Sequence, residues 1–161
     1  MKNTRLSWQR FAINLVILML LAATASAQST WDAIKDRGSI RVGVTEAPPW
    51  FSKNLATGEW GGLGSAIGKQ MAKEMDVEFE PVEVTWGTAV AALQANKIDV
   101  MFVLDATPKR ALAVDFPAQP LLYYALAVLA DDDLNIKTWE DLNKSGVKIS
   151  VTQGTTMDTY V

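Results

Sequence analysis

The 161-residue sequence contains no cysteine and no histidine. Without cysteine the chain cannot form a disulfide bond, and without either residue it lacks the sulfur and nitrogen ligands of the usual transition-metal sites. Catalytic Ser–His and Cys–His pairs are excluded for the same reason. We therefore expect no bound metal, no cofactor and no catalytic residues of these classes.

Basic residues are also few, at 15 Lys and Arg against 18 Asp and Glu, and they form no run. Because phosphate binding needs a basic patch, nucleic acid is not an expected partner. Apolar residues make up 49% of the chain and charged residues 20%. These values are typical of a globular protein.

The first 27 residues have the three regions of a secretory signal peptide. Three cations and no anion precede residue 11, residues 11–23 are apolar apart from one asparagine, and small residues precede a cleavage point after Ala27. The alternative is a membrane anchor, but 13 residues are too few for a hydrocarbon core that needs about 20 in a helix. Cleavage lowers the net charge from −3 to −6. We expect a periplasmic protein without a lipid anchor.

The remaining sequence alternates short β-like runs with amphipathic helices, which predicts the α/β class. Apolar spacing and turn residues predict strands over residues 40–45, 77–84, 100–104, 121–130 and 148–152, and helices over 31–36, 65–75, 88–95 and 139–142. Thr107 and Pro108 favour a further helix start, and so does the Gly154-Thr155-Thr156 stretch. Asn96 is predicted to adopt a left-handed conformation after its helix.

Six segments, in this order, resemble the polar amino-acid-binding family of ABC-transporter periplasmic solute-binding proteins. They are Ile40-Arg41-Val42-Gly43-Val44 with Pro48-Pro49-Trp50, Trp60-Gly61-Gly62-Leu63, residues 92–99, Thr107-Pro108-Lys109-Arg110, Val114-Asp115-Phe116 and Gln153-Gly154-Thr155-Thr156. The resemblance runs from Trp31 to the end of the chain.

The resemblance implies a two-lobed α/β fold of the type II periplasmic-binding class, with ligand held in a cleft that closes by a hinge motion. We expect residues 28–120 to form the first lobe, 121–130 an interlobe crossing strand, and 131–161 the start of a second lobe that is cut short. The implied partners are an amino-acid-like ligand and an inner-membrane ABC permease, and the protein is expected to be a monomer.

Arg110 is the principal predicted site residue. Its guanidinium is a planar fork that matches a carboxylate, although many helix arginines are simply solvated. In the family the Arg of the Thr-x-x-Arg motif grips the ligand α-carboxylate. Thr155 and Thr156 stand at a predicted helix start, where free N–H groups favour an anion. Plain helix capping is the alternative, and the two roles can also occur together.

Four more residues follow predicted strands or open a helix. Trp50 is predicted to stack on the ligand or to pack its loop on the core. Asp105 is predicted to pair with an ammonium group or to orient Arg110, and Glu46 to contact the far end of the ligand. Leu63 stands where the family has a stacking aromatic, which indicates a less polar or non-standard ligand.

Two other functions remain open on this fold. One is a periplasmic enzyme resembling cyclohexadienyl dehydratase, in which Glu46, Asp105 or a residue of the missing part of the second lobe would act as the general acid or base. The other is the ligand-binding ectodomain of a sensor, which would need a transmembrane helix after the lobes. No catalytic constellation is visible in the sequence, so a non-enzymatic binding protein is the favoured interpretation.

Overall fold

The computed structural model of the chain describes residues 29–161, and the predicted signal peptide lies outside them. The predicted α/β class is confirmed. In chain order the elements are α1 (Thr30–Arg37), β1 (Ser39–Val44), β2 (Ser52–Lys53), β3 (Trp60–Gly61), α2 (Leu63–Glu74), β4 (Glu78–Glu83), α3 (Ala89–Gln94), β5 (Val100–Met101), α4 (Pro108–Ala111), a 3-10 turn (Asp132–Leu134), α5 (Trp139–Leu142) and α6 (Thr156–Tyr160).

The main sheet is parallel, with strand order β4–β1–β5. The central strand β1 carries Ile40, Val42 and Val44, which are almost completely buried. Their alternation puts apolar side chains on one face of the strand, and α2 packs against both β1 and β4. The core of the described residues therefore lies between this sheet and its helices.

The helix α2 packs closely against the loop that follows β1. The ring of Phe51 is fully buried, and a Cβ atom at Gly64 would lie 2.5 Å from that ring. The backbone N–H of Gly64 donates to the carbonyl of Trp50 at 2.9 Å. Only glycine allows the helix to approach so closely, so this residue fixes the loop that carries Trp50.

A buried carboxylate ties β5 to the first two elements. The Asp99 side chain is 3% exposed and forms ion pairs with Arg37 at 2.5 Å and Arg41 at 2.8 Å. It also accepts from the backbone N–H of Arg41 at 2.7 Å. Because Asp99 directly precedes β5, the cluster fixes where the strand enters the sheet and hence where the chain leaves it at the site.

Three predicted strands are wrong in extent or in kind. The strand predicted over residues 100–104 ends at Met101, because Val103 has a φ of 62°, and a β-branched residue in this region breaks a ladder. Residues 121–130 and 148–152 are not strands. A strand needs a neighbour to pair with its N–H and C=O groups, and neither segment pairs with another strand within residues 29–161.

The predicted helix signals are confirmed at two places that matter for the site. Thr107 caps α4, with Pro108 as the first helical residue, and Thr155 caps α6. Asn96 also adopts the predicted left-handed conformation, with a φ of 51°. Across residues 29–161, every helix is too short or too polar to traverse a bilayer.

Candidate functional site

The Arg110 side chain joins two distant loops. Its position is set by α4, because the backbone N–H of Arg110 donates to the capping hydroxyl of Thr107 at 3.2 Å. The guanidinium Nη1 donates to the carbonyl of Asp105 at 3.1 Å, and Nη2 donates to the carbonyl of Gly154 at 2.9 Å. These contacts engage two of the five donors of the guanidinium. Arg110 therefore faces the loop that leads into α6.

The loop before α6 packs closely against Gly87 through Gly154. Gly154 has a φ of 78°, and a Cβ atom built on it would lie 2.5 Å from the backbone N of Gly87. Any other residue would meet both backbone strain and this collision. The pair therefore lets the loop before α6 lie against the segment that follows β4 and presents the Gly154 carbonyl to Arg110.

The Asp105 carboxylate accepts hydrogen bonds from two hydroxyl groups. Thr156 Oγ1 donates to Oδ2 at 2.5 Å, and the phenol of Tyr124 donates to Oδ1. Thr156 is 9% exposed, so its hydroxyl needs a partner inside the protein. Burial of the phenol, together with its hydrogen bond to Asp105, raises the pKa of Tyr124 to about 12. The phenol therefore stays protonated, and remains a donor, at physiological pH.

A cavity of about 520 Å³ opens beside this cluster, within the range of small-ligand sites. Asp105, Tyr124 and Thr156 form polar parts of its wall, and most of the remaining wall is apolar, including Phe102 and Leu122. The guanidinium of Arg110 does not line it. Asp99, Thr107, Asp115 and Tyr160 line the cavity as well, so it has several acidic and hydroxyl-bearing residues on a mainly apolar surface.

Thr155, another predicted site residue, forms hydrogen bonds with nearby residues of its own loop and helix. The hydroxyl of Thr155 donates to the carbonyl of Thr152 at 2.6 Å and accepts from the N–H of Asp158 at 3.4 Å. This hydroxyl therefore caps α6, which is compatible with a binding role for the residue. The backbone N of Thr155 also has a local partner, donating to the carbonyl of Thr152 at 3.4 Å.

Glu46, Trp50 and Leu63 form a second group around the loop after β1. Glu46 accepts from the backbone N–H of Lys53 at 3.1 Å. Trp50 is half-buried and packs against the core, and Leu63 opens α2 with 46% of its surface exposed. The hydrogen bonds found within residues 29–161 link none of the three to Arg110 or Asp105, so the structure does not join the two groups.

Two participants were not predicted from the sequence. Tyr124 lies in the segment predicted as a strand, and nothing local marks its hydroxyl as a partner of Asp105, which is 19 residues away. The Gly154 carbonyl was missed because a backbone acceptor carries no residue-specific signal. The only available hint was the glycine itself, which allows close backbone approach.

Without cysteine or histidine, a metal site would need several acidic side chains close together. Within the described part of the chain no three acidic side chains gather closely enough to hold a metal ion. Hydroxyl donors already contact both oxygens of the Asp105 carboxylate. This arrangement differs from the set of several oxygen ligands that calcium or magnesium prefers.

Residues 40–156 match the family model of the bacterial extracellular solute-binding proteins, family 3. The chain is 29% identical over 147 residues to the L-arginine-binding protein of Pseudomonas aeruginosa, covering 91% of the chain and 55% of that protein. It is 32% identical over 147 residues to the histidine-binding periplasmic protein of Escherichia coli, covering 89% of the chain and 54% of that protein. The chain therefore spans about half the length of the curated relatives it matches.

Solved structures give the same result for the fold. The crystal structure of the ancestral amino acid-binding protein AncCDT-1, a precursor of cyclohexadienyl dehydratase, superposes with a TM-score of 0.75 at 38% identity. That match covers 82% of this chain and 59% of the other. The solute receptor for L-cysteine of Neisseria gonorrhoeae is 33% identical over 55% of this chain and 37% of its own, with a TM-score of 0.50.

Proposed function

The chain belongs to the bacterial extracellular solute-binding proteins of family 3, and we propose that it is the periplasmic binding component of an ABC uptake transporter for an amino acid or a similar small zwitterion. The observation that carries the proposal is the placement of Arg110 opposite the start of α6, joined to it through the Gly154 carbonyl at 2.9 Å. The similarity to an L-arginine-binding protein and a histidine-binding protein supports the ligand class.

Arg110 is proposed to bind the ligand carboxylate. Its guanidinium is half-buried and held by two carbonyl oxygens, so little side-chain freedom remains to be lost when the ligand binds. Two parallel N–H groups match a carboxylate in geometry and charge. Thr155 and Thr156 directly follow Gly154 in the chain. Their N–H groups are proposed to donate to the ligand once it enters, with the Thr155 N–H leaving the Thr152 carbonyl.

Asp105 is proposed to bind the cationic group of the ligand. Its carboxylate lines the cavity, and an ionised carboxylate has about four acceptor positions, of which two are occupied by hydroxyl donors. An ammonium group is the complementary partner for the remaining positions. Trp50, Glu46 and Leu63 are proposed to contact the side-chain end of the ligand, which requires their loop to move toward the cleft.

The wider context is also proposed. Residues 28–120 would form a first lobe and 131–161 the beginning of a second, with residues 121–130 between them. Ligand would draw the lobes together by hinge closure, and the closed monomer would dock on an inner-membrane permease. Export by the segment up to Ala27 would place the protein in the periplasm.

Calorimetric titration tests the binding function directly. The complete protein is titrated with the common amino acids, and we expect micromolar or tighter binding of at least one of them. Mature protein recovered from the periplasmic fraction, with its first residue identified by mass spectrometry, tests export and cleavage after Ala27. Absence of heat with every amino acid would contradict the proposal.

A second candidate function is favoured by one finding. AncCDT-1 is described as a precursor of cyclohexadienyl dehydratase, so a fold of this kind is related to an enzyme. Asp105 or Glu46 would then serve as the general acid or base. Incubation of the complete protein with prephenate distinguishes the two functions, because turnover at a rate above the uncatalysed reaction would favour the enzyme.

A further inference from the structure

Three parts of the chain that are far apart in sequence meet at the Asp105 carboxylate. Asp105 lies between β5 and α4, the phenol of Tyr124 comes from a segment without regular structure, and the hydroxyl of Thr156 comes from the first residue of α6. Each hydroxyl contacts a different carboxylate oxygen. The carboxylate is therefore held in one orientation from both sides.

Core packing does not account for the position of Tyr124. Tyr124 is half-exposed, at 51% of its surface, so burial of its ring in the core does not fix its place. Tyr123, the preceding residue, is 89% exposed. A tyrosine in this segment therefore extends into solvent when it has no such hydrogen bond. The bond to Asp105 is thus a specific feature of Tyr124.

We propose that Tyr124 is a further residue of the binding site, which orients the Asp105 carboxylate toward the α-ammonium group of the ligand. This inference rests on the proposed function. Both side chains line the same cavity, and the two hydroxyl groups leave the other acceptor positions of the carboxylate for an incoming cation. Tyr124 is a positioning residue, because it acts through Asp105.

A fixed orientation of the Asp105 carboxylate should increase the affinity only for ligands that carry an α-ammonium group. An ammonium group gains from a fixed acceptor, since less conformational entropy is lost on binding. A ligand without that ammonium gains nothing from it. Loss of the Tyr124 hydroxyl should therefore weaken the binding of amino acids and leave the binding of their des-amino analogues unchanged.

The test is a calorimetric titration of the complete protein with L-arginine, L-histidine and the des-amino analogue of each, which keeps the carboxylate and side chain. Weakly binding analogues are measured by competition. Tyr124→Phe is compared with Tyr123→Phe, which removes the neighbouring hydroxyl. We expect up to about a tenfold loss of amino-acid affinity in Tyr124→Phe, as for ordering one side chain on binding, and about twofold or less with the analogues. Tyr123→Phe should change none of the affinities.

Asp105→Asn provides a second variant with the same expected selectivity and a larger effect, about a hundredfold, because it removes the charge itself. Equal losses for amino acids and analogues, no loss, or tighter binding in Tyr124→Phe would overturn the role of Tyr124 while the proposed function stands. If the wild-type protein binds neither amino acid, the proposed function fails and the inference falls with it.

Discussion

Arg110 and Gly154 are 44 residues apart in the chain, yet the guanidinium Nη2 of Arg110 donates to the carbonyl of Gly154 at 2.9 Å. The same side chain holds the carbonyl of Asp105, five residues earlier in its own loop. One cation thus links the loop after β5 to the loop before α6. Both loops also carry proposed ligand contacts, so this link determines the geometry of the site.

Replacing Arg110 by glutamine should weaken amino-acid binding strongly. The variant loses the charge and the fork that match a carboxylate, and a charge-assisted pair of this kind contributes about 2–4 kcal/mol, or roughly 30- to 1000-fold in affinity. Lys109→Gln, at the exposed neighbouring position, is the control and should retain affinity. Calorimetric titration of the complete protein measures both variants, and equal affinities for them would contradict the assignment of Arg110.

Gly154→Ala should disturb both stability and binding. The new Cβ would lie 2.5 Å from the backbone N of Gly87, in a residue whose φ is 78°. We expect a loss of about 1–3 kcal/mol in the free energy of unfolding, from backbone strain and overpacking together.

Gly146→Ala separates the two effects. Gly146 also has a positive φ, of 92°, but a Cβ there would meet nothing within 4 Å. It should lose only the strain contribution, about 1 kcal/mol, and retain ligand affinity. Urea unfolding and calorimetric titration check both variants. Equal behaviour of the two alanine variants would show that the contact with Gly87 is unimportant.

Asp99→Asn should destabilise the protein more than any exposed ion-pair variant. The Asp99 side chain is 3% exposed and neutralises two guanidinium groups, so its loss leaves both arginines without their shared partner. We expect about 3 kcal/mol less stability in urea unfolding. Glu83→Gln is the control, because Glu83 is 61% exposed in its pair with Lys53, and such pairs contribute about 0–1 kcal/mol.

The contrast between local and distant signals explains what the sequence could predict. The cap at Thr107 and the left-handed Asn96 are set by neighbouring residues, and both were predicted. The prediction of a strand at residues 121–130 was wrong. An apolar run indicates a β preference, but it does not show whether a neighbouring strand is present to pair with it. Position 103 shows the same limit, since its backbone conformation opposes the β preference of valine.

The site follows the same rule. Arg110, Asp105 and Thr156 were each predicted from motifs or from local position. That Thr156 donates to Asp105, 51 residues away, depends on how the loop before α6 folds back, which no local pattern encodes. Tyr124 was missed for this reason, since its role exists only through that distant carboxylate. The family resemblance predicted these residues, and the structure shows which groups they contact.

The ionisation of Tyr124 gives a test of the hydrogen bond to Asp105 that needs no ligand. The pKa of Tyr124 is raised from 10.0 to about 12, by burial and by the bond to Asp105. The chain has three tyrosines, so subtracting the phenolate absorbance of Tyr124→Phe from that of the wild type isolates one phenol. The difference curve should have its midpoint near pH 12, and a midpoint near the ordinary value would contradict the contact.

The same shift sets the sign of a pH effect on stability. The phenol is a donor only while protonated, and its folded pKa lies above its unfolded value, so the stabilising contribution is complete below about pH 10 and is lost as the pH rises through about 12. Other groups also titrate in this window, but they are common to both proteins. The free energy of unfolding in urea should therefore fall more steeply above pH 10 in the wild type than in Tyr124→Phe, and parallel pH profiles would show that the folded protein does not hold this phenol in its protonated form.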